Sequence, residues 1–186
     1  MPYPHIRRVP LGFDRATEGY RDPDVLAPNL PDEYSELLLE NAVAPGLQIS
    51  RSSIEGRGCF AAVRFHSHQL IAEYVGEKIT IDEAERRRCE PGRKYICDVD
   101  LECAIDGSCG GNGTEYINHS CDPSCYLVVL RARIFLYAGR DIEPGEEITA
   151  DYLYELELEG LSCKCRSSVC FGCVNPIRVR HRVSTT

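Results

Sequence analysis

A chain of 186 residues is long enough for one well-buried domain with appendages. Its 43% hydrophobic and 27% charged residues are ordinary for a soluble globular protein, and no run of about 18 apolar residues offers a membrane span. The net charge of −8 argues against non-specific nucleic-acid binding, which needs a basic face. The N-terminus Met1-Pro-Tyr-Pro-His-Ile-Arg-Arg lacks the apolar core of a signal peptide, so a reducing compartment is expected. Residues 1–45 are rich in Pro, Asp and Arg and read as an arm packed on the main body. One helix is expected there: Pro31 and Asp32 open it, Tyr34, Leu37 and Leu38 form an apolar stripe, and it ends near Asn41 before Pro45-Gly46.

From Leu47 the pattern changes to short β segments at 47–50, 59–64, 70–76 and 95–99, separated by Gly-rich or polar turns. Asp82-Glu-Ala-Glu-Arg-Arg-Arg88 predicts the one clear internal helix, closed by Pro91-Gly92. The apolar, β-branched runs 125–131 and 134–138 predict paired strands, and Pro144-Gly145 punctuates the turn that follows. No internal repeat or low-complexity tract is present. The sum is a mostly β domain of short, curled sheets with a separate cysteine-rich cap at 161–175.

Eleven cysteines is a high and odd count, so disulfides within one chain could not use every thiol. Cys163-Lys-Cys165-Arg-Ser-Ser-Val-Cys170 places three thiols in eight residues as C-x-C-x4-C. Zinc takes four soft ligands at tetrahedral corners, so a short loop can supply three and a distant residue the fourth. Cys121, Cys125 and Cys173 are all candidates for that fourth ligand by spacing, and reactive or merely buried thiols remain the alternative. Ligating thiols release protons on binding, so metal affinity falls as pH falls.

Three further stretches carry chemistry. Glu55-Gly56-Arg57-Gly58-Cys59-Phe60 is a turn between strands, weak evidence when taken alone. Tyr116-Ile-Asn118-His119-Ser-Cys121-Asp-Pro123 gathers an Asn, a His and a Cys in one loop, which could equally be a turn held by its Asn and Asp side chains. Gly145-Glu-Glu-Ile-Thr-Ala-Asp-Tyr152 is a turn running into a strand that ends on a Tyr, a position often occupied for packing alone.

In this order, together with Glu73-Tyr-Val-Gly-Glu77, Tyr95-Ile-Cys-Asp98, Ile105-Asp106 and the C-x-C-x4-C run, these stretches resemble the SET-domain protein-lysine methyltransferases over residues 46–173. The resemblance is to a SET domain with a post-SET segment and without a pre-SET segment. It implies a fold of short curled β-sheets with a C-terminal pseudoknot, one internal helix and a zinc-bound post-SET cap. Such threading is rare in general. The implied organisation is an arm at 1–45, the SET domain at 46–154, the post-SET segment at 155–175 and a basic tail at 176–186.

The implied activity is methyl transfer from S-adenosylmethionine to a lysine side chain. Glu55, Gly56 and Arg57, with Tyr95, Asn118 and His119, would hold the cofactor. Cys121 would join Cys163, Cys165 and Cys170 around one structural zinc ion. Tyr152 would stand at the reaction centre. The partner would be a basic protein, histones being the family's usual association, with no direct nucleic-acid role and no membrane. The place of action would be the nucleus in a eukaryote and the cytoplasm in a bacterium.

The sequence departs from the family's usual pattern at Glu115, where an Arg is frequent, at Arg57, where an aromatic is common, and at Ala150, where Phe or Tyr is usual. From Asp141 to Gly160 there are eight carboxylates and no Lys or Arg, either a solvated face or an attraction for a basic peptide. Two other classes stand beside the enzyme: a SET-like scaffold that binds zinc and partners without catalysis, and a nucleic-acid binder using Arg178-Val-Arg-His-Arg182.

Overall fold

A computed structural model describes residues 43–90, 95–152 and 162–172, with the backbone of two short strands before them. In chain order these are β1 (Phe13–Asp14), β2 (Gly19–Tyr20), β3 (Leu47–Arg51), β4 (Arg57–Ala61), β5 (Leu70–Tyr74) and β6 (Glu77–Thr80). There follow α1 (Ile81–Arg88), β7 (Ile96–Asp98), β8 (Cys103–Asp106), β9 (Asn118–His119), β10 (Cys125–Leu130), β11 (Arg133–Ala138) and β12 (Glu147–Ala150), with a single 3-10 turn at Thr114–Tyr116 before β9. The helix expected at 31–41 lies outside the described residues.

The strongest apolar runs give the strongest pairing. β10 and β11 form a full antiparallel hairpin from Cys125↔Ala138 to Leu130↔Arg133. Its two-residue turn, Arg131-Ala132, has positive φ at both positions (49° and 56°), the geometry whose twist matches the strands it joins. Side chains alternate across the sheet. Ile134, Leu136 and Ala138 enter the core, whereas Tyr137 stacks on Tyr126 on the opposite face, ring centroids 5.8 Å apart.

The large sheet runs β3-β4-β12-β10-β11-β5, with β9 also paired to β12. β12 is its keystone. It is antiparallel to β4 through Ile148↔Cys59 and parallel to β9 through Thr149↔Asn118 and Ala150↔His119. Ile148 and its core neighbours Ile134, Leu136 and Ile142 are at most 1% exposed, each burial contributing about 1.5–3 kcal/mol. Pairing β9 to β12 sets the Asn-His segment beside the last strand among the described residues, the juxtaposition that a C-terminal pseudoknot produces.

A smaller sheet, β6-β8-β7, packs on α1. Thr80 caps α1 by accepting from the Glu83 N–H, acids fill its first turn and arginines its last, as the helix dipole favours. Arg87 reaches from the helix to Glu77 and Asp106, and Arg88 to Asp98, so ion pairs tie helix and sheet together. Gly76 lets the two sheets meet: a Cβ there would lie 2.4 Å from the Asp106 carbonyl oxygen.

Two differences from the sequence reading have local causes. The strand expected to end on Tyr152 ends at Ala150, because the Tyr152 N–H donates to the His119 ring and the Ala150 carbonyl accepts from Ser120. β6 and β8 carry no run long enough to announce themselves, only four residues each, and exist through their mutual register, Glu77↔Asp106 to Thr80↔Cys103.

Candidate active site

The site is assembled where β12 braces three loops. Asn118, at the start of β9, points its amide nitrogen at the turn between β3 and β4. It donates to the carbonyls of Glu55 (3.2 Å) and Arg57 (3.0 Å) and to Oε1 of Glu147 (2.9 Å). Ser52 holds the same carboxylate, its hydroxyl donating to Oε1 at 2.7 Å. That hydroxyl also accepts from the Ile54 N–H at 2.8 Å, so Ser52 links the turn's backbone to Glu147. Gly56 turns the chain with φ of 53°. Gly58 leaves room for a neighbour: a Cβ there would lie 2.4 Å from the Glu147 Oε1, so that carboxylate would have to shift.

Three side chains stack at the open end of this turn. The Arg57 guanidinium lies 3.9 Å over the Tyr116 ring and donates to its hydroxyl, and Tyr116 meets Tyr95 edge-on, centroids 5.4 Å apart. Beneath them the Tyr74 hydroxyl donates to the Tyr95 carbonyl at 2.8 Å, and burial raises the Tyr74 pKa well above its ordinary value.

Tyr152 leaves β12 beside the Asn-His segment. Its hydroxyl donates to the Ile117 carbonyl at 2.9 Å, its backbone N–H donates to Nδ1 of His119 at 3.2 Å, and the two rings lie 5.4 Å apart. Nδ1 is therefore an acceptor, which places the ring proton on Nε2, 3.6 Å from the Cys121 sulfur. The His119 side chain is buried and turned inward, so only its backbone can face a bound molecule.

Cys121, Cys163, Cys165 and Cys170 converge with all four sulfurs within 4.8 Å of one another. Cys121 lies 3.7 Å from Cys163 and 3.9 Å from Cys170. Zinc–sulfur bonds of about 2.3 Å at tetrahedral corners put sulfurs about 3.8 Å apart, so the donor set fits that metal. Cys125, an equal candidate by spacing, sits instead in the core, 1% exposed, where burial raises its pKa and keeps it a neutral thiol. Cys173 lies outside the described residues. Between two of the thiols, Lys164 reaches Glu55 at 3.7 Å, a contact between the cysteine lip and the Gly turn.

Glu55, Gly56, Arg57, Tyr95, Asn118, His119, Tyr152 and the four converging cysteines fall within this one region, whereas Cys125 does not. Sequence reasoning missed the roles of Glu147, Ser52, Tyr74 and Tyr116, although Glu147, Tyr74 and Tyr116 stood inside quoted motifs. Glu115 closes a Gly-rich turn by accepting from the Gly113 N–H at 2.7 Å, and Gly107 and Gly111 pack against its side chain.

A mostly β scaffold in which the last strand pairs the Asn-His segment, faced by a four-thiol lip, is the architecture of SET proteins. The model of the SET domain family matches residues 56–153. Histone-lysine N-methyltransferase set-2 of Caenorhabditis elegans is 36% identical over 138 residues, covering 69% of this chain and 9% of the relative. A histone-lysine N-methyltransferase, H3 lysine-4 specific, of Eremothecium gossypii is 36% identical over 156 residues, covering 76% of this chain and 16% of the relative. The crystal structure of KRYPTONITE in complex with mCHG DNA and SAH is similar with a TM-score of 0.60 and 26% identity, over 71% of this chain and 29% of that one. The chain belongs to the SET-domain family. It spans only a small part of the length of these relatives.

Proposed function

We propose that this chain is a protein-lysine N-methyltransferase that moves methyl groups from S-adenosylmethionine to a lysine of a basic protein, with a histone tail as the first candidate. The single observation that carries the reading is the placement of Tyr152, its hydroxyl fixed on the Ile117 carbonyl beside Asn118 and next to the Gly turn.

Bound S-adenosylmethionine supplies a methyl group made electrophilic by its sulfonium. The chain's own residues bind and orient. The Gly turn at Glu55, Gly56 and Arg57, with Tyr95, Asn118 and the His119 backbone, holds the cofactor. Tyr152 aligns the incoming amine, and orientation supplies much of the rate of an in-line displacement. Lysine has a reference pKa of about 10.4 and must react neutral, which an apolar channel beside a positive charge favours. Cys121, Cys163, Cys165 and Cys170 hold one zinc ion, whose role is structural because four thiolates leave no open position.

The proposed organisation keeps a SET domain at 46–154 and a post-SET segment at 155–175, between an arm at 1–45 and a tail at 176–186. The family match at 56–153 supports the first of these. The names of the relatives support a histone substrate and with it a nuclear place of action. The net charge of −8 supports a basic protein partner over direct nucleic-acid contact.

Radiolabelled methyl transfer onto histones, nucleosomes and other basic proteins tests this, paired with calorimetry of S-adenosylhomocysteine binding. Binding together with labelled lysine is expected. Neither binding nor transfer would favour the non-catalytic scaffold.

A further inference from the structure

We infer that the outer face of the sheet formed by β5, β11 and β10 is a docking surface for a segment of this same chain, the acidic, leucine-rich stretch at 31–41.

These strands are apolar on both sides. A sheet with one face in water alternates apolar and polar residues along each strand. Here Cys125-Tyr-Leu-Val-Val-Leu130 carries no charged residue, and Arg133-Ile-Phe-Leu-Tyr-Ala138 carries one, at its start. One face is accounted for: Leu127 and Val129, with their register partners Leu136 and Ile134, pack in the main core. The opposite face repeats the pattern with Tyr126, Tyr137 and Leu70 in one row, Val128 and Phe135 in the next, and Leu130 beyond. None of these six belongs to the main core or to the small core under α1. Phe135 is buried, with the Arg133 guanidinium 5.0 Å from its ring centre, whereas the other five stay half-exposed. A contiguous apolar patch of this kind marks a surface that another element covers.

The chain itself enters beside this face. The described residues resume at Val43, and the Ala44 N–H donates to the Asn112 carbonyl at 2.8 Å. The Asn112 side-chain amide donates in turn to the Glu73 carbonyl at 3.0 Å. Glu73 belongs to β5, opposite Phe135, and its carboxylate accepts from Arg133 at 2.7 Å. The arm therefore meets the sheet at the β5 edge. The five residues from Leu38 to Val43 can span up to about 17 Å. Crossing from β5 over β11 to β10 takes only about 10 Å.

The composition of 31–41 fits this face. Tyr34, Leu37 and Leu38 fall on one side at helical spacing. Asp32, Glu33, Glu36 and Glu40, with no Lys or Arg among them, complement the hairpin end, where Arg131 and Arg133 outnumber Glu73.

The test uses the full chain. Tyr126 is replaced by the photocrosslinker p-benzoylphenylalanine, and the products are mapped by mass spectrometry. A crosslink to residues 31–41 within one chain is expected. Hydrogen exchange gives a second readout. Val128→Lys, which sets a charge on the face, should speed exchange of the amides in 31–41 by at least about tenfold. Adding Leu37→Glu should restore part of that protection. The crosslink decides the question even if Val128→Lys does not fold.

A crosslink that joins two chains, with a dimer in light scattering, would show that a second copy covers the face and overturns the inference. Crosslinks that miss 31–41, or exchange there that folded Val128→Lys leaves unchanged, overturn it as well.

Discussion

The floor of the site and its lip are held by different forces. The floor is part of the large sheet. Asn118 and Glu147 are hydrogen-bonded to each other and to the turn between β3 and β4, above a core in which Cys59, Ile148 and Ala138 are 0% exposed. The lip, residues 162–172, is mostly half-exposed and contributes no strand or helix to the sheets. It meets the floor through the thiol group at Cys121 and the exposed Lys164–Glu55 pair. Exposed pairs of this kind contribute at most about 1 kcal/mol. Stability therefore resides in the core, whereas on the proposed reading closure of the site resides in the metal that the four thiols would hold. A perturbation aimed at one region should leave the other's property largely intact.

Removing zinc is the strongest way to break that comparison. Chelation, or Cys165→Ser, should lower methyl transfer by at least about a hundredfold while the thermal transition of the sheet core persists. Metal analysis of the wild-type protein should give one zinc per chain. Absence of zinc, or unchanged zinc in Cys165→Ser, contradicts the metal assignment. Core damage should do the converse. Ile148→Ala removes a fully buried side chain and should lower unfolding free energy by about 2–5 kcal/mol, with zinc content of the folded protein unchanged.

Chemistry should separate from both. Tyr152→Phe deletes the hydroxyl bonded to the Ile117 carbonyl and should reduce turnover by at least about tenfold, roughly 1.4 kcal/mol of barrier, at unchanged cofactor affinity. Normal turnover would remove Tyr152 from the reaction centre.

What the sequence made legible follows the range of the interactions involved. β10 and β11 announce themselves because their apolar alternation is local. β9 has no such signal; Asn118 and His119 are extended because β12 pairs with them. Three thiols of the proposed zinc site stand in one short run, but spacing treats Cys121 and Cys125 alike, and only the fold separates a thiol beside the lip from one packed in the core. Asn118 stands out as part of a motif. The carboxylate that accepts from its amide lies 29 residues away and reaches it only through sheet topology.

Smaller effects should sharpen the picture of the substrate side. Glu155, Glu157 and Glu159 lie outside the described residues, between Tyr152 and the cysteine lip in the chain. Reversing all three charges should raise the Michaelis constant for a basic peptide severalfold, most at low salt. A constant insensitive to both mutation and salt would make the run a solvated face.

On the proposed reading, Ala150 is the position expected to set the number of methyl groups added. It is 3% exposed, and its strand partners are Cys125 and His119. Tyr137 lies on the other face of the sheet, stacked on Tyr126, which leaves Tyr95, Tyr116 and Tyr154 as the side chains that could refill the space of the absent aromatic; with that space open, dimethyl- or trimethyl-lysine is the expected product. Ala150→Tyr should shift the product toward monomethyl-lysine, read by mass spectrometry under enzyme excess. A wild-type product that stops at monomethyl-lysine would show that other side chains close the pocket.

The central claim is that this site transfers methyl groups to lysine, with Tyr152 at the reaction centre. The direct measurement is mass spectrometry of a histone-tail peptide incubated with methyl-deuterated S-adenosylmethionine and either wild-type protein or Tyr152→Phe. The account predicts deuterated methyl on a lysine Nζ with the wild-type protein, and at most about a tenth of that rate with the variant. Equal rates from the two proteins, or label on a residue other than lysine, would contradict it.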